Sequence, residues 1–224
     1  MNNYLFPILS VIFGVVLAII TTKKRMFNTR LLLSFSGAFL LALTLFEMLP
    51  EVYEHLDSKL TGLFIMGGIL LQIILEYFSK GAEHGHIHIH KNATAFPWAL
   101  FISLCIHSFL EGFSINDHND MVYGIVIHNI PITALISMFL LKSNYSKIQI
   151  ASFLIIFALM TPLGTLISNT VGAVQGYTHI INAFVIGIFF HISTTILFES
   201  SEGHKFNLSK LTAIVLGVGM AYLI

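Results

Sequence analysis

Eight long apolar runs, separated by short polar clusters, occupy nearly the whole chain: residues 4–22, 31–49, 60–78, 96–115, 121–141, 148–168, 179–199 and 211–224. Most are about the length that a helix needs to cross roughly 30 Å of hydrocarbon, near 20 residues, and only a helix or a closed barrel satisfies every backbone polar group in lipid. The last run is short for a full crossing. This pattern predicts an all-α integral membrane protein with eight transmembrane helices.

The polar clusters orient those helices. With eight spans, Lys23, Lys24, Arg25, Arg30, Lys80, Lys91, Lys142, Lys147, Lys205 and Lys210 all fall on one side, and only Lys59 falls on the other. Because the side that retains Lys and Arg is normally cytoplasmic, both termini are expected to be extracytoplasmic, in a multi-pass protein of the cell (inner) membrane. The first run has no positive residue before it and ends on Lys23-Lys24-Arg25, the reverse of a secretory signal's charge order, so it reads as a retained first span.

Composition narrows the function classes. Of the 224 residues 56% are hydrophobic and 10% charged, more apolar side chain than a soluble core of this size would hide. A formal net charge of zero offers no basic field for nucleic acid. The single cysteine, Cys105, excludes a disulfide scaffold and a thiolate metal cluster. Connections are short, which suggests one transmembrane domain over 1–224. The oddity is a cytoplasmic loop, 79–95, in which His84, His86, His88 and His90 alternate with other residues. Imidazoles at that spacing suit capture of Zn, Cu or Ni.

Ionisable groups at membrane depth are expensive, about 2.5 to 3.5 kcal/mol for a charge on insertion scales, and so mark functional positions. His107 and Glu111 lie four residues apart, on one face of the fourth helix. His128 lies in the fifth. His107 is about eight residues from the loop joining these antiparallel helices and His128 about seven, or roughly 10 to 12 Å at helical rise, so the two imidazoles are expected at one depth. Two neutral imidazoles and a carboxylate suit Zn²⁺ or another late first-row ion, with water completing a tetrahedron. Three protein ligands select an ion yet allow its release, as a carrier requires. Pro131 and Pro162 interrupt the hydrogen-bond ladders of spans five and six and are expected to bend them. Phe35-Ser36-Gly37-Ala38-Phe39 leading to Glu47 is weakly echoed by Val185-Ile186-Gly187-Ile188-Phe189 leading toward Glu199, in a span of opposite direction, which suggests an inverted repeat. In the outer loop, Asp117, His118 and Asp120 are expected to form an ordinary polar turn, the alternative being a group that collects ions at the entrance.

His107-Ser108-Phe109-Leu110-Glu111-Gly112, His128-Asn129-Ile130-Pro131, Thr161-Pro162-Leu163-Gly164 and the histidine loop, in that order and spacing, resemble the ZIP (Zrt/Irt-like protein) family of divalent metal ion transporters. Gly37-Ala38-Phe39-Leu40, Met48-Leu49-Pro50-Glu51 and Gly187-Ile188-Phe189 extend the resemblance to spans two and seven. It implies an inverted-repeat transporter bundle of eight helices, a metal site shared by spans four and five, and homodimers. It also implies that His107, Glu111 and His128 are ligands, with Ser108 and Asn129 at positions that line a second metal in many members. Where the family often has further glutamates, this chain has Ile132 and Thr161, which points to a single ion. His191 and Glu47 stand where the family has other residue types and are possible extra ligands.

The expected function is therefore carriage of a divalent transition metal ion, Zn²⁺ foremost and Fe²⁺ or Mn²⁺ next, into the cytoplasm, with no enzymatic step and no prosthetic group. The alternatives are an intramembrane metal-dependent hydrolase, which would need a carboxylate to spare as general base, and a non-transporting metal sensor derived from a carrier.

Overall fold

The computed structural model describes residues 1–24, 29–79, 96–116, 120–199 and 208–224, and its regular structure is entirely helical among them. His84, His86, His88 and His90, together with Asp117 and His118, lie outside the described residues. In chain order the helices are α1 (Asn2–Lys24), α2 (Thr29–Leu43), α3 (Leu49–His55), α4 (Ser58–Ser79), α5 (Trp98–Glu111), α6 (Met121–Lys142), α7 (Lys147–Thr170), α8 (Gly172–Gln175), α9 (Thr178–Glu199) and α10 (Leu208–Leu223). Six stretches are long and apolar enough to cross a membrane: Asn2–Thr22, Thr29–His55, Ser58–Ser79, Met121–Lys142, Lys147–Thr170 and Thr178–Phe198. The fourth and eighth predicted runs form shorter apolar helices, Trp98–Ser114 and Leu208–Leu223. At 1.5 Å per residue, α10 reaches only about 24 Å.

The second run extends past its predicted end at residue 49, through a π-helical segment, Thr44–Met48, that joins α2 to α3. Pro50, at the start of α3, explains the wider register, because its ring has no N–H and would crowd the carbonyl one α-turn back. The Leu49 N–H donates instead to the Thr44 carbonyl, five residues back. Pro131 and Pro162 lie within continuous helices, α6 and α7. Ser146 opens α7 with a capping box: its hydroxyl accepts from the Gln149 N–H and its own N–H donates to the Gln149 side chain.

Close crossings at glycine organise the bundle. In α4 against α9, a methyl group on Gly68 would run into the Phe184 carbonyl, and one on Gly187 into the Ile65 carbonyl. In α5 against α7, Gly112 and Gly164 are related in the same reciprocal way, facing the Thr161 and Phe109 carbonyls. Gly14 of α1 abuts Thr133 and the Ile130 carbonyl of α6, and Gly217 of α10 abuts the Phe35 carbonyl of α2. In lipid there is little hydrophobic drive between helices, so such backbone approach supplies the dispersion contact that holds them. Side chains that pack inward include Phe39, Leu43, Phe153 and Phe189, all fully buried, whereas α10, α1 and much of α4 expose large apolar residues on their outer faces.

Gly68→Ala should disrupt the α4–α9 crossing and destabilise the protein by about 1 to 3 kcal/mol, the usual cost of overpacking. Gly62→Ala on the same helix, where an added methyl meets nothing within 4 Å, should be neutral or slightly stabilising. Thermal melts of the two variants in one detergent compare them directly.

Candidate metal centre

α5 ends one residue before Gly112, the glycine that lets it approach α7, and its last residue is Glu111. A 3₁₀ turn, Gly112–Ser114, follows at once. The Thr165 hydroxyl, fully buried on α7, lies 2.9 Å from the Gly112 carbonyl and 3.1 Å from the Thr161 carbonyl and ties the turn to α7. Ser114 Oγ adds a bond to the Glu111 carbonyl at 2.8 Å. Glu111 is thereby fixed where the helix tightens, with its side chain directed to α6.

There it meets the two imidazoles expected at its depth. Glu111 Oε1 lies 2.9 Å from His107 Nε2 and 3.7 Å from His128 Nε2, and these side chains are 0%, 2% and 0% exposed. The two rings stand edge to face, their centroids 6.2 Å apart and their planes at 71°. One ligand atom from each residue falls within 4.8 Å of the others, and among the described residues this is the group of three such side chains with that property. Two ligands at 2.0 to 2.2 Å from a tetrahedral Zn²⁺ stand about 3.3 to 3.6 Å apart, close to the His128–Glu111 separation. The buried Glu111 Oε2 has no hydrogen-bond partner. A carboxylate oxygen in that state carries a large desolvation penalty that a cation would offset.

Ser108 and Asn129 are also buried, at 1% and 2% exposure, each next in sequence to a histidine of the group. Two residues with possible ligand roles are placed elsewhere. His191 Nε2 contacts Glu76 Oε2 of α4 at 2.5 Å, on a partly exposed face, so its imidazole is engaged by a carboxylate outside the group. Glu47, set by the π-helical segment, accepts a hydrogen bond from the Asp120 N–H at 3.0 Å. It lines a cavity of about 500 Å³ together with Glu51, Phe113, Asn116, Asp120 and Thr178. Phe113 is two residues beyond Glu111, which puts the cavity floor next to the buried centre.

Glu76 carries no signal in the apolar pattern that sets it apart, and on α6 the named Asn129 is the first residue of a longer polar strip that includes Thr133 and Ser137. Asn129, Thr133 and Ser137 are buried at four-residue intervals, and the Thr133 and Ser137 hydroxyls have no hydrogen-bond partner. Their spacing in an otherwise apolar helix was the available signal.

Residues 79–224 match the family described as ZIP zinc transporter. The chain belongs to the ZIP family. An 88-residue segment is 27% identical to zinc transporter ZIP1 of Danio rerio, covering 37% of this chain and 29% of that protein. The match thus spans less than a third of that relative's length. Membership of the ZIP family and six membrane-length apolar helices make this a multi-pass membrane protein.

Thr165→Val keeps the shape of the α5–α7 contact but removes the hydroxyl that ties down the Gly112 turn. It should cost about 1 kcal/mol and speed amide hydrogen exchange in residues 112–116 more than in the rest of α7, as mass spectrometry of exchanged peptides would report.

Proposed function

We propose that the chain carries a divalent transition metal ion, zinc by preference, across the membrane into the cytoplasm, and that His107, Glu111 and His128 bind it between α5 and α6. The observation that carries this reading is a fully buried carboxylate within 4 Å of two buried imidazole nitrogens, a donor set suited to Zn²⁺ and open to a water or a transient fourth ligand. Ser108 and Asn129 sit beside those ligands and can contribute oxygen donors as the ion passes. In this reading all eight apolar helices span the bilayer, the termini are extracytoplasmic, and two copies associate as a homodimer in the cell membrane. The cavity beside Phe113 is then the outer vestibule. On α6 the Asn129, Thr133 and Ser137 strip begins beside His128 and runs toward the Lys142 end, the cytoplasmic end in this reading.

A hydrolytic reading fits the donor set less well. Glu111 is the carboxylate of the group, and as a ligand it leaves no second acid to serve as general base.

Zn²⁺ uptake by proteoliposomes tests the proposal. His107→Ala, Glu111→Ala and His128→Ala should each lower the flux roughly tenfold or more, since each removes one of three ligands, with unchanged insertion and size-exclusion behaviour. Undiminished flux in all three variants would remove the centre, and tight Zn²⁺ binding by a natural chain that shows no flux would point to a sensor instead.

A further inference from the structure

A second group of histidine and glutamate side chains meets the same cavity at Glu51. α3 ends with Glu51 and His55 four residues apart, on one helical face, and α9 begins with Thr178 and His179. The His55 and His179 rings are stacked, centroids 4.1 Å apart and planes at 8°. His179 Nδ1 lies 3.7 Å from Glu51 Oε1. That nitrogen is shielded from solvent and has no hydrogen-bond partner, and 3.7 Å is too long for a hydrogen bond but close to the separation of two ligands sharing one first-row ion. His55 Nδ1 is 2.8 Å from the Glu51 carbonyl. As an acceptor that carbonyl fixes the proton on Nδ1 and leaves His55 Nε2 with its lone pair outward, the arrangement that orients metal-ligating histidines.

We propose that Glu51 and His179 form a second divalent-cation site at the rim of the cavity, completed by water, with the His55 ring stacked against His179. The site takes a borderline ion such as Zn²⁺, because imidazole nitrogen and carboxylate oxygen are the donors on offer. Unlike the buried centre, it is about a third exposed, at 36% for His179 and 35% for Glu51, so it exchanges with water and binds more weakly. Glu51 also lines the cavity, as do Glu47 and Asp120, whose charges favour a cation moving inward from the rim. Binding at the rim stands independently, whereas its role in loading the carrier rests on the transport reading above.

Co²⁺, whose visible absorption reports nitrogen ligation, is the probe for the full-length chain in detergent. The background carries His107→Ala, Glu111→Gln and His128→Ala, with His84, His86, His88 and His90 each replaced by Asn. One Co²⁺ per chain should still bind, and adding either Glu51→Gln or His179→Gln should abolish it. A background that binds no Co²⁺, or Co²⁺ that survives both substitutions, overturns the site. A second measurement leaves the buried centre intact. In proteoliposomes His179→Gln alone should raise the KM for Zn²⁺ roughly three- to tenfold with kcat unchanged, the signature of lost loading without lost translocation. An unchanged KM overturns the loading role. Failure of the buried centre would show separately, as flux indifferent to Glu111→Ala while Co²⁺ at the rim persists.

Discussion

A glutamate with no exposed surface, set between two buried imidazoles in a bundle whose outer faces are apolar, dictates what the surrounding helices must do. Removing a carboxylate from water is strongly unfavourable unless positive charge or hydrogen bonds replace the lost hydration. Here one oxygen contacts His107 and approaches His128, and the other is without a hydrogen-bond partner. A divalent cation would satisfy both oxygens and both rings together. The fold keeps that arrangement in place by bringing α5 so close to α7 that only glycine fits at residues 112 and 164. It then locks the turn after Glu111 with the Thr165 hydroxyl.

The same segment connects the centre with the polar end of the bundle. Glu111, Gly112 and Phe113 follow one another from the buried centre to the cavity wall, and the Phe113 carbonyl accepts a bond from Ser168 Oγ at 3.2 Å. A change in how α5 sits on α7 therefore reaches the carboxylate and the cavity wall together, because both lie within three consecutive residues at the crossing. On the far side of the cavity the π-helical segment plays a comparable part. It turns Glu47 toward the Asp120 N–H and hands the chain on to α3, whose Glu51 and His55 face α9.

Much of this was legible in the sequence, for reasons that differ from element to element. Apolar runs of 20 or so residues have one structural solution in lipid, and the helices lie where those runs lie. The His107–Glu111 pairing follows from four-residue spacing, and its meeting with His128 follows from equal distances to a shared loop. Helix interruptions were harder to read. The second apolar run stops at residue 49, but a π register absorbs Pro50 and the helix continues to His55. That extension is what brings Glu51 and His55 to α9, so the rim cluster stayed hidden. Side-chain pairing across helices was also out of reach. Nothing local in the sequence joins His191 to Glu76, 115 residues away, and only the α4–α9 crossing at Gly68 and Gly187 sets them side by side.

The two positions where further acids were absent acquire a physical meaning from their surroundings. Ile132 is 2% exposed within an apolar cluster, and Thr161, also 2% exposed, presents its carbonyl to Gly112 at the α5–α7 crossing. A glutamate at 132 would need its own counter-charge among Leu104, Ile136 and Phe157, and one at 161 would have to be buried at the α5–α7 crossing that supports Glu111. With neither present, a Zn²⁺ on two neutral imidazoles and one carboxylate leaves a net single positive charge in a low-dielectric interior. That residual charge weakens binding relative to a charge-neutral site. For a structural metal site this would be a defect. For the proposed carrier it favours release, since the ion regains hydration on leaving.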